Sequence, residues 1–193
     1  MQLLMEDGGS ARLSSWDRIA TRLPAFISLF VVVVPFIHGM NRHLDECYLR
    51  RTNATVPSWA LLSDFLTFFV ESALIFATAA TLKEPRLPFG FLGTLLLIDV
   101  IWALQTWIVH YRRMSMPIKK TPLPWMLVNA VSLTIGLPLG LSMTDSDSVR
   151  PWALMGLAIA RTVADYASSW SFYFPTEEQD KPAMPGGHAG LGS

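Results

Sequence analysis

Three charged residues interrupt the long apolar stretches of this 193-residue chain. Glu71, Asp99 and Arg161 each lie near the middle of a segment that is long and apolar enough to cross a bilayer. A charge at the centre of a membrane span costs about 2.5–3.5 kcal/mol on insertion scales, so such residues face a bundle interior, a partner or water. The pattern therefore predicts a multi-pass membrane protein with a polar interior.

The composition supports a membrane location and argues against a nucleic-acid partner. Charged residues make up 16% of the chain, against about 25% in average soluble domains, and they collect between the apolar segments. The formal net charge is zero, so the chain lacks the basic character that attracts nucleic acid. The single cysteine, Cys47, excludes an internal disulfide and a multi-cysteine metal cage. The main partner predicted is the lipid bilayer.

Five segments come close to the roughly 20 apolar residues that a transmembrane helix needs. They cover residues 23–40, 58–82, 87–110, 124–143 and 151–174. In hydrocarbon every backbone polar group must be paired within the protein, and the runs are too continuously apolar for barrel strands, so helices are expected. The predicted fold class is all-α: a polytopic membrane bundle of about five transmembrane helices, or four if the last segment is not inserted.

Both ends of the chain differ in composition from this bundle. The first apolar run begins near Leu23 and no small-residue cleavage site follows Ile37, so we interpret that run as a retained span. The last residues are rich in glycine, proline and charge, a composition that buries little apolar surface. We therefore predict a polar N-terminal segment at 1–22, a helical bundle at 23–174 and a disordered C-terminal tail at 175–193.

Alternating spans place the polar residues at particular depths. Face A is the side that holds the N-terminus, and face B is the side of the first loop. With a rise of about 1.5 Å per residue, Glu71, Asp99 and Arg161 fall near the midplane and the remaining polar residues fall in the B half. We therefore expect a polar cavity that opens toward face B and closes near the midplane. Its predicted binding residues are Asp64, Glu71, Asp99, Arg161 and Asp165, with His38, Gln105 and His110 as accessory residues.

The interior holds more carboxylates than positive charges. Four carboxylates, including Asp64, accompany the single guanidinium of Arg161, which stays protonated. Arg161 can pair locally with Asp165, four residues on, or with Asp99 or Glu71 across the interior. The remaining carboxylates must reach water, bind a cation or carry a proton, unless they hydrogen-bond across helices and only hold the bundle together.

These observations support three functions. The first is the binding or transport of a small polar or cationic solute, or of protons. The second is a membrane-embedded enzyme acting on a lipid-soluble substrate, in which paired carboxylates and His38 serve as general acid and base. The third is a non-catalytic assembly subunit of a membrane complex, and a homo-oligomer is left open. The sequence assigns no catalytic residue and identifies no cofactor.

The histidines raise the question of a metal. On a helix, His43 shares a face with Glu46 and Cys47, and these are residue types that bind zinc. His38 and His110 lie toward face B and are of the type that ligates haem iron. Because no established metal motif is present, we interpret the region around His43 as the polar end of the first span and predict no metal site.

Overall fold

The computed structural model of the chain describes residues 15–49, 57–84, 86–112, 118–144 and 148–175. The regular structure in these ranges is entirely helical, which confirms the all-α bundle. The main helices are α1 (Ser15–Leu44), α2 (Ser58–Ala80), α3 (Leu87–Thr106), α4 (Leu123–Leu141) and α5 (Arg150–Tyr173). The tail predicted to be disordered lies, from residue 176 on, outside the described residues.

Two of the helices continue into a π-helical turn. The turn Asp45–Leu49 follows α1, and the turn Trp107–Tyr111 follows α3. A short 3₁₀ turn, Ile118–Lys120, precedes α4. A π-helical turn is rare and occurs frequently at functional sites. Both π-helical turns belong to the B end of the bundle, where α1 and α3 finish.

The first helix is longer than the apolar run alone predicts. It begins at Ser15, inside the segment 1–22 that was predicted to be polar and to precede the bundle. Trp16, Ile19, Ala20 and Leu23 follow the i, i+3, i+4, i+7 spacing of an amphipathic helix, which explains the extension. The helix also continues past Pro35.

Within the described ranges, four helical stretches are long and apolar enough to cross a membrane. They are Arg22–Leu49, Ser58–Ala80, Leu87–Tyr111 and Leu123–Leu141. The fifth helix is of similar length but less apolar, because it carries Arg161 and Asp165 together with several hydroxyl side chains. Arg161 and Asp165 are buried, whereas Ile159 and Val163 are exposed on the outer face of α5.

Side-chain contacts show how the helices are arranged. Gln105, near the end of α3, donates a 2.7 Å hydrogen bond to Ser63, near the start of α2, so these two helices are antiparallel. Thr162 in α5 donates to the backbone carbonyl of Val31 over 2.7 Å and ties α5 to α1. The helices pack side by side in the order α2, α3, α4, α5, α1, and the contact between α1 and α2 that closes the ring is much smaller than the others.

Two tryptophans form the centre of the hydrophobic core. Trp102 and Trp125 are buried with ring centroids 5.5 Å apart, and Phe68 lies 5.3 Å from the Trp102 ring. Gly39 of α1 makes room for Trp125, because a Cβ at Gly39 would lie 3.0 Å from that ring. This packing fixes the Trp102 indole, whose N–H group points to a carboxylate described below.

Gly140 marks a close approach of α4 to α3. A Cβ at this position would lie 2.9 Å from the Cβ of Phe89, whereas a Cβ at Gly156 on α5 would meet nothing within 4 Å. We expect Gly140→Ala to destabilise the bundle by about 1–3 kcal/mol, since overpacking forces the helices apart. Gly156→Ala should leave the stability unchanged or raise it by up to about 1 kcal/mol through helix propensity. Thermal unfolding in detergent measures both changes, and equal melting temperatures for the two variants would contradict the packing described here.

Candidate functional site

Buried polar side chains of α3, α4 and α5 form one continuous chain near the middle of the bundle. Asn129 donates its side-chain N–H to Oδ2 of Asp99, and Arg161 donates its Nε–H to Oδ1 of Asn129 over 2.7 Å. The Nη2 atom of Arg161 lies 3.5 Å from Oδ2 of Asp165. All four residues are at most 3% exposed. The single amide therefore joins a carboxylate on one side to a guanidinium on the other.

The bridging amide was not among the predicted site residues. Arg161 was expected to pair directly with Asp99 or Glu71 across the interior, and the structure places Asn129 between Arg161 and Asp99. The local pair with Asp165 is present. The one sequence signal for Asn129 is an uncharged polar residue within the apolar run of α4. A search of the sequence for charged residues alone does not identify such a residue.

Aromatic side chains extend this chain toward face B. The Tyr173 hydroxyl lies 3.1 and 3.0 Å from the two carboxylate oxygens of Asp165. The ring of His38 stacks on Tyr173 at 4.8 Å, and its Nδ1 lies 3.4 Å from the Tyr166 hydroxyl. His38 therefore reaches the buried carboxylate through tyrosine, as an accessory position at the end of the chain.

Glu71 on α2 is the least satisfied polar group of this region. Its side chain is 0% exposed, and neither of its carboxyl oxygens has a hydrogen-bond partner in the part of the chain that the structure describes. Asp99, the other carboxyl of the midplane, interacts with it electrostatically, and Oδ1 of Asp99 is likewise without a partner among the described residues. Buried polar atoms are nearly always paired, so three such oxygens are an exception that requires an explanation.

A second polar cluster surrounds Asp64 nearer to face B. The carboxylate accepts hydrogen bonds from Tyr48 at 2.6 Å and from the indole N–H of Trp102 at 2.8 Å. The Nε2 atom of His43 lies 3.0 Å from its Oδ2. The ring of His110 lies 5.5 Å from that of His43. Both carboxylate oxygens of Asp64 thus have partners, in contrast to those of Glu71 on the same helix face.

The two π-helical turns supply much of this second cluster. His43 lies one turn before Cys47, whose sulfur is 3.5 Å from Nδ1 of His43, and Tyr48 is the next residue. The turn after α3 supplies His110. Helical spacing had grouped His43 with Glu46 and Cys47, but Glu46 instead accepts a 3.0 Å hydrogen bond from Arg42. Asp64 and His110 come from other helices, and spacing within one helix cannot indicate them.

The predicted site residues therefore divide between two places. Glu71, Asp99, Arg161 and Asp165 lie in or beside the midplane chain, with His38 at its end. Asp64 and His110 belong to the second cluster. Gln105 contacts Ser63 and takes part in neither.

A partly open apolar cavity lies on the other side of the midplane. Leu92 of α3, Gly136 of α4 and Leu157 of α5 contribute to its lining, and these residues belong to the A half of their helices. Arg161 lines its midplane end, and Nη1 of Arg161 has no hydrogen-bond partner among the described residues. A polar cavity that opens toward face B was expected from the sequence, and among the described residues of the B half the carboxylate of Asp64 is hydrogen-bonded to Tyr48 and Trp102.

Comparison of the chain with protein-family models, with curated proteins and with solved structures returns no match.

The bridge through Asn129 gives a test of the midplane chain. We expect Asn129→Leu to lower stability by about 3 kcal/mol or more, because it leaves Asp99 and Arg161 buried and separated. The matched control is Gln105→Leu, which removes one partly buried hydrogen bond and should cost about 1 kcal/mol. Thermal or denaturant unfolding in detergent measures both. Equal losses in the two variants would show that the chain contributes no more than an ordinary hydrogen bond.

Proposed function

We propose that the bundle is an integral membrane protein that binds and transports protons or a small cation at the carboxyl pair of Glu71 and Asp99. The observation that carries this proposal is the group of three unpartnered oxygens, two on Glu71 and one on Asp99, within the described part of the bundle. They are acceptor atoms without donors, which is the chemistry that a proton or a hard cation satisfies.

The surrounding charges support this assignment. The guanidinium of Arg161 is directed to Asn129 and Asp165, so its contacts do not reach Glu71. Two neighbouring carboxylates in a low-dielectric interior repel each other and lose their hydration. A proton or a cation at Glu71 removes both penalties, and its arrival or departure changes the charge of the whole midplane chain.

The proposal places all five helices across the membrane. Four are long and apolar enough by themselves. The fifth turns Arg161 and Asp165 inward and exposes Trp152, Ile159 and Val163, the pattern of a span whose polar side faces the bundle. Since α5 packs against both α1 and α4, its insertion also keeps Arg161 within the hydrocarbon layer.

Replacing the unpartnered carboxyl tests the function directly. We expect Glu71→Gln to abolish pH-dependent cation or proton flux in proteoliposomes, because the amide neither takes up a proton nor supplies the negative charge that balances a cation. The matched control is Glu84→Gln, which makes the same chemical change at an exposed position after α2 and should retain wild-type flux. The readout is the response of an enclosed pH dye under an imposed membrane potential, with sodium and potassium gradients as separate arms.

Asp99→Asn provides the second variant. It should also abolish flux, while circular dichroism and thermal unfolding establish that the protein still folds. A folded Glu71→Gln protein with wild-type flux would overturn the proposal, as would the absence of flux in wild-type vesicles for protons and for both cations.

The apolar cavity favours a second candidate function, the binding of a lipid-soluble amphiphile as in a membrane-embedded enzyme. Its walls are apolar and its polar end is the Nη1 atom of Arg161, which is buried and without a partner in the described ranges. A hydrocarbon chain with a carboxylate head matches that arrangement, since a guanidinium binds carboxylates well.

Filling the cavity tests this second candidate. Ala158 lines the cavity, whereas Ala160, two residues on, is exposed on the outer face of α5. We expect Ala158→Phe to weaken the binding of a fluorescent long-chain fatty acid at least tenfold, about 1.4 kcal/mol, and Ala160→Phe to leave it unchanged. The corresponding uncharged fatty alcohol should bind more weakly than the acid to the wild type. Equal affinities of both variants, or equal affinities for acid and alcohol, would contradict a site ending at Arg161.

A further inference from the structure

We propose that His43, Asp64 and His110 form a binding site for one divalent first-row metal ion. Their ligand atoms all lie within 4.8 Å of one another, and Nε2 of His43 is 3.0 Å from Oδ2 of Asp64. The three residues are 1%, 1% and 5% exposed. Two imidazoles and one carboxylate are the ligand set of many zinc and iron(II) sites, which keep further coordination positions open.

The surroundings of the three side chains resemble an outer shell around metal ligands. Oδ1 of Asp64 accepts the indole N–H of Trp102, which orients the carboxylate and leaves Oδ2 toward the histidines. Nδ1 of His43 lies 3.5 Å from the sulfur of Cys47. Ligating histidines and carboxylates usually have such partners on their other atoms. Metal binding at Nε2 releases the proton that joins His43 to Asp64 in the metal-free protein.

Cys47 supports the site without ligating the metal. Its sulfur contacts Nδ1 of His43, on the side of the ring away from Asp64. An ion bound to Nε2 and Oδ2 therefore lies on the opposite edge of the imidazole. The nearby guanidinium of Arg42 pairs with Asp45 at 2.8 Å and with Glu46 at 3.0 Å, so these contacts direct it away from Asp64.

The site joins three helices at one end of the bundle. His43 lies in the last turn of α1, and Asp64 lies in the second turn of α2. His110 belongs to the π-helical turn after α3. The α1–α2 contact is small compared with those between the other packed helices. An ion bound by residues of both helices therefore adds a direct connection where the packing between neighbouring helices is weakest. The bound metal thus stabilises the B end of the bundle in proportion to its concentration and affinity.

The test measures metal binding by protein that carries no polyhistidine tag. After treatment with a chelator, wild-type protein should bind one equivalent of Zn²⁺, Fe²⁺ or Co²⁺ by elemental analysis, and the Co²⁺ form should show visible ligand-field absorption. Separate arms with each ion distinguish a zinc site from an iron site. Metal should also raise the melting temperature of the wild type.

Two ligand variants and two controls sharpen the result. His43→Gln keeps a donor to Asp64 but removes the ring ligand, and His110→Ala removes the second imidazole; both should lose stoichiometric binding and the thermal shift. His38→Ala removes a histidine that contacts Tyr166 and Tyr173 instead, and should bind like the wild type. Glu71→Gln should also bind normally, so that failure of the transport proposal and failure of the metal proposal are separate outcomes.

Several results would overturn the metal site. One is wild-type protein that binds none of the three ions stoichiometrically. Another is a folded His43→Gln or His110→Ala protein, with the melting temperature of the metal-free wild type, that retains full binding. A third is the loss of binding in His38→Ala alone.

Discussion

An apolar interior does not solvate a bare charge, and the structure of this bundle depends on that constraint. The constraint has its largest effect at Arg161. A guanidinium stays protonated in any protein environment, so it must be given acceptors inside the bundle. Asn129 supplies a neutral oxygen at 2.7 Å and Asp165 a charged one at 3.5 Å. These contacts tie α5 to α4, and Asn129 passes the connection on to Asp99 of α3. Three helices are therefore fixed in register by one cation, because sliding any of them would leave a charge unpaired.

Two carboxylates on the same face of α2 show how neighbouring helices decide what a residue does. Asp64 and Glu71 are both buried. The B end supplies Asp64 with donors from Tyr48 and Trp102 and with a close contact to His43. Glu71 receives none of these within the described ranges, and its closest electrostatic neighbour is another carboxyl. The same chemical group therefore has hydrogen-bond partners at one depth of the bundle and none among the described residues at another.

The sequence predicts the helices well and the assembly between them poorly. Apolar runs locate all five helices, and Asp64, Glu71 and Thr78, which follow one another at intervals of seven residues, are buried in α2. The sequence does not reveal Asn129, because a neutral amide gives no charge signal. It also does not reveal that His110 lies close to Asp64, because that depends on how α2 and α3 are aligned. The apolar cavity was missed for a related reason. Depth along a helix locates charged groups, but the space between helices depends on small residues such as Gly136 and on rotamers that periodicity does not specify.

The interface between α1 and α2 differs at its two ends. At the B end, Asp64 of α2 contacts His43 and Tyr48 from the α1 side at 3.0 and 2.6 Å. At the A end the two helices border a cleft lined by Arg22 and Phe26 on one side and by Ala79 and Lys83 on the other. A movement that separates these helices therefore meets least resistance at the A end, with the Asp64 cluster as its fixed point. Glu71 lies on α2 between the end held by the Asp64 cluster and the end that borders the cleft.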